Sequence, residues 1–299
     1  MPILKPTPQK PWVLAHRGLS SSYPENTLPA LRAALHSEYP AAGIELDVVF
    51  SRDGCPMVIH DETLDRTTSG SGLVESFAAK ELQKFDAGSW FGKEHCGYCI
   101  PTLEDVLQEL GSSCVINIEI KPRLYQGPHH STVENISNSM SPITYKYPPM
   151  DEEQLASILA LLDKYQLFKS AIVSSLDHRC LVDLRRVSKE INLAAVYNDL
   201  PPFAEAFHLA CEISAFSIHL QAATLNDVWL EDWRVIWGNT QENKSGELGV
   251  YDSPVRIPSV LCWTVNDPQQ MHKLLGWGAS GVFSDHSDIL VASLITSAS

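Results

Sequence analysis

The sequence lacks a long hydrophobic run. No apolar stretch approaches the ~18 residues that a membrane-spanning helix requires, so we expect no transmembrane segment. The first 11 residues contain two lysines and no apolar core, which does not match a secretory signal. The sequence therefore does not predict a membrane-inserted protein.

Basic residues are few relative to acidic ones. The chain has 22 lysines and arginines against 36 aspartates and glutamates, and its formal net charge is −14. Proteins bind nucleic acids through basic faces that contact phosphates. We therefore predict no nucleic-acid partner, whereas a small anionic substrate in a locally basic pocket is compatible with this charge.

Cysteine is also infrequent. The chain has seven cysteines, which are scattered along its length and odd in number. A disulfide framework usually has an even number of cysteines at close spacings. The pattern fits a reduced compartment better, and we predict a cytoplasmic location.

Two strands are predicted in the stretch 43–61, joined at Asp53-Gly54, a dipeptide typical of two-residue hairpin loops. Glu45 and Asp47 share one face of the first strand, because strand side chains alternate. With a two-residue loop, His60 would lie opposite Asp47 on that face. The first strand is otherwise apolar, and buried carboxylates are rare unless they are paired or bind a metal. This favours a functional site over the alternative, a structural ion pair.

A second polar strand is predicted at residues 115–121. Asn117, Glu119 and Lys121 fall on one of its faces, and three isoleucines fall on the other. The polar face is either the solvent side of an edge strand or the polar interior at the mouth of a barrel. The neighbouring motifs favour the barrel interior.

The whole chain, residues 1–299, is predicted to form one α/β domain. Apart from the antiparallel arm that ends at His60, eight strands mostly alternate with helices, which implies a parallel sheet. A closed (β/α)8 TIM barrel fits this number of units, and a doubly wound open sheet is the alternative. We interpret residues 62–100, with a predicted helix at 73–85, as an inserted cap.

The strand ends carry the candidate chemistry. In a barrel, functional residues lie at the carboxyl ends of the strands, so Glu45, Asp47 and Glu119 could meet there. Three carboxylates without a cysteine ligand suit Mg²⁺, Ca²⁺ or Mn²⁺ rather than zinc. The sequence therefore predicts a divalent metal site with oxygen ligands.

Two histidines and two cations accompany these carboxylates. His16 and His60 could supply an acid and a base near neutral pH. Arg17 and Lys121 could hold an anion. A hard metal, two cations and two histidines together suit phosphoryl transfer.

Five spaced motifs resemble the motif series of the glycerophosphodiester phosphodiesterases. These motifs are His16-Arg17-Gly18, Pro24-Glu25-Asn26-Thr27, Glu45-x-Asp47, His60-Asp61 and Glu119-Ile120-Lys121. Later features agree with the series, namely Trp263-Thr264-Val265-Asn266 and a terminal strand that ends at Asp285. The resemblance extends over about residues 12–290.

The resemblance implies a TIM barrel with an inserted cap. It implies a metal held by Glu45, Asp47 and Glu119, and acid/base roles for His16 and His60. The implied reaction cleaves a glycerophosphodiester to sn-glycerol 3-phosphate and an alcohol such as choline or ethanolamine. In the implied mechanism the glycerol hydroxyl can attack first, giving a cyclic phosphate that water opens.

Two other functions are compatible with the same barrel. A phospholipase D-like enzyme acting on lysophospholipids or sphingolipids would need an apolar rim, for which Trp90, Phe91 and Trp263 are candidates; Trp263 is also a candidate for the wall of a small-substrate pocket. The long loops predicted at 123–150 and 236–258 could change which substrates fit. A non-catalytic binding module is the third reading, and the complete set of histidines, carboxylates and cations argues against it.

Overall fold

Eight parallel strands form a closed barrel in the computed structural model, which describes residues 5–7, 9–123, 149–226, 228–229, 232, 235 and 258–297. The strands are β1 (Trp12–Ala15), β2 (Gly43–Phe50), β3 (Pro56–Val58), β4 (Val115–Ile120), β5 (Ala171–Ser175), β6 (Asn192–Tyr197), β7 (Ser217–Gln221), β8 (Ser259–Trp263) and β9 (Gly281–Ser284). Strand β3 is antiparallel to β2, and all other pairs are parallel. Strand β1 pairs with both β2 and β9, which closes the sheet. The predicted TIM barrel is confirmed, and the open sheet is excluded because its two outer strands would not meet.

Most of the helices alternate with the barrel strands and cover their outer faces, and the short second helix packs in the segment after β3. The helices are α1 (Leu28–His36), α2 (Ala79–Leu82), α3 (Leu103–Leu110), α4 (Glu152–Lys164), α5 (His178–Val187), α6 (Phe203–Glu212), α7 (Pro268–Gly276) and α8 (Ser287–Ser297). Helix α3 illustrates the pattern, because its buried residues 103, 106, 107 and 110 form one stripe. Among the helices that the structure describes, none has the length and apolarity needed to cross a bilayer.

The two predicted polar strands lie side by side in the barrel wall. Strand β4 has β2 on one side and β5 on the other, so it is not an edge strand. Its isoleucines belong to the main hydrophobic core between sheet and helices, and Asn117 and Glu119 line the barrel interior. The prediction of a polar interior is confirmed, and the solvent-exposed alternative is wrong.

The predicted register of the hairpin is wrong by one residue. Phe50 pairs with Pro56, and the Ser51 N–H donates to the Cys55 carbonyl at 3.0 Å, so the loop is the three residues 52–54 and not the dipeptide at 53–54. Ser51 stabilises this longer loop: its hydroxyl accepts from the Cys55 backbone N–H at 3.0 Å and donates to Asp53 at 2.7 Å. If the pairing continued, His60 would lie opposite residue 46 and on the other face of the sheet. Strand β3 ends at Val58, however, and His60 lines the cavity described below.

Residues between β3 and α3 pack around a second, smaller apolar cluster that includes Met57, Leu64, Val74, Leu82 and Ile100. The predicted helix at 73–85 is wrong, because this stretch forms a 3₁₀ turn at residues 74–76 and the four-residue α2. The hairpin loop breaks the helix by binding the backbone there: the residue 52 N–H donates to the residue 77 carbonyl at 2.9 Å. The boundaries 62–100 of the insertion stay a prediction.

The two long loops predicted at 123–150 and 236–258 lie outside the described residues, except for residues 123, 149, 150 and 258 at their ends.

Candidate active site

A cavity of about 210 Å³ lies at the carboxyl ends of the barrel strands. Its wall includes all of the predicted site residues: His16, Arg17, Glu45, Asp47, His60, Glu119, Lys121 and Trp263. Asn117, Leu176, Val196, Asn198, His219 and Phe283 form the rest of the wall. The fold therefore brings together residues that lie far apart in the sequence.

Three carboxylates form the acidic part of the cavity. Glu45 and Asp47 are two residues apart on β2 and share one face of the strand. Asp47 pairs in register with Glu119 on β4. One oxygen from each carboxylate lies within 4.8 Å of the others. Oxygen Oε1 of Glu45 is buried and has no hydrogen-bond partner among the described residues. This all-oxygen donor set fits a hard divalent cation, which would also satisfy that oxygen.

The electrostatics of the cluster also fit a cation. Burial, together with the neighbouring Asp47 and Glu119 carboxylates, raises the pKa of Glu45 well above its usual value. Burial alone would raise the pKa of Asp47, but Lys121 and Arg17 outweigh it and hold that pKa well below its usual range. A bound cation would offset the like charges that face one another across β2 and β4.

Arg17 and Lys121 supply the positive charge of the cavity. Lys121 Nζ lies 2.7 Å from Glu119 Oε1 and 3.3 Å from Asp47 Oδ1. Burial lowers the pKa of Lys121, but these carboxylates raise it above the ordinary lysine value. The Arg17 backbone N–H donates to Glu45 at 2.9 Å, and Arg17 Nε lies 3.2 Å from Asp47 Oδ2. Both cations therefore stay charged and have fixed positions.

The turn after β1 sets the position of Arg17. Arg17 has a positive φ of 58°, and Gly18 follows with a φ of 86°. A Cβ on Gly18 would come within 2.5 Å of the Ala30 carbonyl carbon. Only glycine fits this close approach of the turn to helix α1.

We expect Gly18→Ala to lower the free energy of unfolding by about 3 kcal/mol or more, because a left-handed backbone and a backbone clash act together. Gly54→Ala is the matched control: Gly54 also has a positive φ of 74°, but a Cβ there meets nothing within 4 Å. That variant should cost about 1–2 kcal/mol. Urea unfolding of both variants measures the difference, and equal losses would contradict the clash.

Each histidine is bound to a carboxylate. His16 Nδ1 lies 2.8 Å from Asp285 Oδ1, just beyond β9. Asp285 is itself held by Ser20, which donates to Oδ1 at 3.0 Å, and by Asn266, which donates to Oδ2 at 2.8 Å. With Nδ1 engaged, Nε2 is the ring nitrogen of His16 that is left for proton transfer.

His60 has the same kind of partner. Its Nδ1 lies 2.6 Å from Asp61 Oδ1. Hydrogen bonds from Arg66 are the main cause that lowers the pKa of Asp61 to about 2. Burial lowers the pKa of His60 more than Asp47 raises it, so the ring favours its neutral form near pH 7. The cavity thus holds two histidines, each oriented by an ionised aspartate.

Sequence reasoning missed the residues that orient the site. Asp61 and Asp285 lie within the motifs and at the end of the last predicted strand, but the sequence alone indicates no role for them. Asn26 belongs to the Pro24-Glu25-Asn26-Thr27 motif without a predicted role, yet its side chain donates to Asp47 Oδ2 at 2.8 Å and accepts from the Asp47 N–H at 3.2 Å. The position of Asp61 directly after His60, and of Asp285 at the end of the last strand, was the signal in the sequence that could have indicated this role.

Of the three aromatic residues predicted as a possible apolar rim, one, Trp263, lines the described cavity. Trp90 and Phe91 pack edge to face on each other in the segment between β3 and α3, with 39% and 36% of their surface exposed. Neither belongs to the described cavity wall.

The chain is similar to known phosphodiesterases. The model of the glycerophosphoryl diester phosphodiesterase family matches residues 16–289. A glycerophosphodiester phosphodiesterase of Caldanaerobacter subterraneus subsp. tengcongensis is 30% identical over 283 residues, which cover 94% of this chain and 97% of that protein. A glycerophosphodiester phosphodiesterase of Bacillus altitudinis is 32% identical over 92% of this chain and 95% of its own length.

Solved structures agree with this similarity. A phosphodiesterase from Oleispira antarctica, determined in complex with the product sn-glycerol-3-phosphate, has a TM-score of 0.69 at 26% identity, covering 95% of this chain and 97% of that one. Fold, cavity and similarity define a phosphoric diester hydrolase built on a TIM barrel. The chain belongs to the glycerophosphoryl diester phosphodiesterase family.

Proposed function

We propose that this protein hydrolyses glycerophosphodiesters to sn-glycerol 3-phosphate and an alcohol, with the help of a divalent metal. The observation that carries the proposal is the cavity itself, in which two histidine–aspartate pairs accompany three carboxylates and two cations. The names of the similar proteins support the substrate class. A small polar substrate also suits a cavity of about 210 Å³.

Glu45, Asp47 and Glu119 would hold the metal, with Mg²⁺ or Ca²⁺ as the first candidates and Mn²⁺ as another. Once bound, the metal supplies positive charge that stabilises the phosphoryl oxygens in the transition state. Arg17 and Lys121 add charge to the same oxygens. Trp263 forms part of the wall against which the organic part of the substrate packs.

His16 and His60 would move the protons. One ring accepts the proton of the attacking glycerol hydroxyl, and the other donates a proton to the oxygen of the departing alcohol. The bond between phosphorus and that oxygen breaks as the new P–O bond closes a cyclic phosphate. Water then opens the cyclic phosphate with the proton transfers reversed, and sn-glycerol 3-phosphate is released.

The first test is release of sn-glycerol 3-phosphate from glycerophosphocholine with Mg²⁺ or Ca²⁺, with and without EDTA. We expect release that EDTA abolishes. Lysophosphatidylcholine serves as the comparison substrate, and preference for it over the soluble diester would favour the phospholipase D-like reading. No turnover of any glycerophosphodiester with either metal would overturn the proposal.

A second prediction concerns Glu119. We expect Glu119→Gln to weaken Mg²⁺ or Ca²⁺ binding at least about 10-fold, because the variant removes one negative ligand from the set. Isothermal titration calorimetry measures the affinity, and circular dichroism checks that the fold is intact. Glu109→Gln is the matched control, since Glu109 lies on α3 and pairs with Arg32 at the surface. Unchanged metal affinity in Glu119→Gln would remove Glu119 from the site.

We also propose a cytoplasmic location. All seven cysteines are free thiols in the structure, which suits a reducing compartment.

A further inference from the structure

One guanidinium connects two loops of the cavity wall. Arg66, between β3 and α3, donates Nε and Nη2 to Asp61 at 2.7 and 2.9 Å. It also donates Nη1 and Nη2 to Glu25, between β1 and α1, at 2.9 and 2.8 Å. Each carboxylate therefore receives two hydrogen bonds, the strong bidentate geometry that only arginine provides.

Each of these carboxylates also binds a cavity residue, through an oxygen that it shares with Arg66 Nη2. Asp61 Oδ1 lies 2.6 Å from His60 Nδ1. Glu25 Oε1 accepts from Arg17 Nη1 at 2.8 Å. Arg66 is thus one side chain away from a proposed acid/base group and one side chain away from a proposed phosphate ligand.

We propose that Arg66 is a positioning residue, which fixes the His60 ring through Asp61 and the Arg17 guanidinium through Glu25. Arg66 is outside the described cavity wall, so it acts through these neighbours and does not touch the substrate. The inference rests on the proposed function, because it assigns a role in that reaction.

The surroundings of Arg66 distinguish it from an ordinary surface ion pair, which stabilises little. Its two acceptors are only 13% and 25% exposed, although Arg66 itself is 44% exposed. Its backbone is held by the buried Leu64 and Thr67 and by a hydrogen bond from the Thr68 N–H to the Leu64 carbonyl at 3.1 Å. The Arg66 side chain therefore extends from a turn that is closed by a hydrogen bond, and its guanidinium binds two partly buried carboxylates.

The two links have different kinetic consequences. Loss of the link through Asp61 leaves the His60 ring free to rotate, which lowers kcat. Loss of the link through Glu25 loosens Arg17, which raises KM. We expect Arg66→Gln to do both and to lower kcat/KM about 10- to 100-fold, the range found when outer-shell partners of active-site ligands are removed.

The experiment measures kcat and KM for glycerophosphocholine in wild type, Arg66→Gln and Arg66→Lys. Arg52→Gln is the matched control: Arg52 also contacts the segment between β3 and α3, through the Ser76 carbonyl at 2.9 Å and Glu81 at 3.0 Å, but contacts no cavity residue. We expect Arg66→Lys to recover part of the loss, because it keeps the charge without the paired hydrogen bonds. Equal kinetics for Arg66→Gln and Arg52→Gln would mean that Arg66 only attaches this segment to the barrel.

A double-mutant cycle tests the route. Asp61→Asn should lower kcat, and Arg66→Gln should lower kcat much less in that background than in wild type. Full additivity of the two changes in kcat would overturn the proposed link to His60.

A readout without turnover separates this inference from the proposed function. The ¹⁵N signals of the His60 ring report which nitrogen carries the proton. We expect a single Nδ1–H form in wild type and Arg52→Gln, and a mixture of tautomers in Arg66→Gln. If the wild type were inactive, the proposed function would fail and the ring signals alone would decide the role of Arg66. Unchanged His60 signals in Arg66→Gln would overturn it.

Discussion

Replacement of His16 by alanine is expected to lower kcat for glycerophosphocholine about 10²- to 10⁴-fold, the usual contribution of a general acid or base. The physical reason is the orientation of the ring. Asp285 holds Nδ1 at 2.8 Å, so Nε2 has one fixed direction for proton transfer. Steady-state kinetics at saturating metal measure the loss.

Two further variants make the His16 test specific. His208→Ala removes an exposed histidine on α6 and should leave kcat unchanged. Asp285→Asn should lower kcat in the wild-type background but add little to His16→Ala, because the carboxylate acts through the ring. A His16→Ala enzyme with kcat within twofold of wild type would exclude His16 as an acid or base.

Replacement of Lys121 by methionine is expected to lower kcat/KM about 10²- to 10³-fold, because one of the charges that faces the phosphate is lost. The same change should lower the free energy of unfolding of the metal-free protein by about 3 kcal/mol, since it leaves Asp47 and Glu119 without their buried cation. Added Mg²⁺ or Ca²⁺ should recover part of that stability, because a divalent cation offsets the same carboxylates.

Lys164→Met is the matched control for Lys121. Lys164 pairs with Glu104 at the surface and is 61% exposed, so its loss should leave the free energy of unfolding nearly unchanged. Urea unfolding with and without metal compares the two variants. If Lys121→Met were as active and as stable as the control, the cavity would not need this cation.

The barrel and the central carboxylates could be predicted from the sequence because their signals are local. Glu45 and Asp47 alternate with apolar residues that contact the helices, and Asn117 and Glu119 do the same on β4. A period of two within one strand decides which face each side chain takes. Parallel pairing then brings Asp47 and Glu119 to the same level of the barrel.

The errors in the predicted structure have two causes, one within a loop and one between elements. The hairpin loop has three residues instead of the two that Asp53-Gly54 indicates, because Ser51 pairs with Cys55; the Ser51 hydroxyl stabilises this loop. The predicted helix at 73–85 is interrupted by a backbone hydrogen bond from residue 52, which lies in another element. His60 lines the cavity as predicted, but not through pairing with Asp47. Strand β3 ends at Val58, two residues before His60.

Most of the orienting residues were harder to predict, because they lie far along the chain from the residues that they contact. Asp285 is separated from His16 by 269 positions, and Arg66 from Glu25 by 41. The sequence identifies these residues as polar, but only the closed barrel decides which of them meet. The charged side chains that line the cavity belonged to recognisable motifs. Most of the partners that hold them could be found only from the tertiary structure.

Closure of the barrel between β1 and β9 links the chemistry to the order of folding. His16 follows the first strand, and its carboxylate partner follows the last, so the pair forms only when the two ends of the sheet join. Contacts between such distant positions carry a high loop-closure entropy and slow folding. During refolding from urea, catalytic activity should therefore return later than helical circular dichroism. The return of catalytic activity would then measure when β1 and β9 pair and the barrel closes.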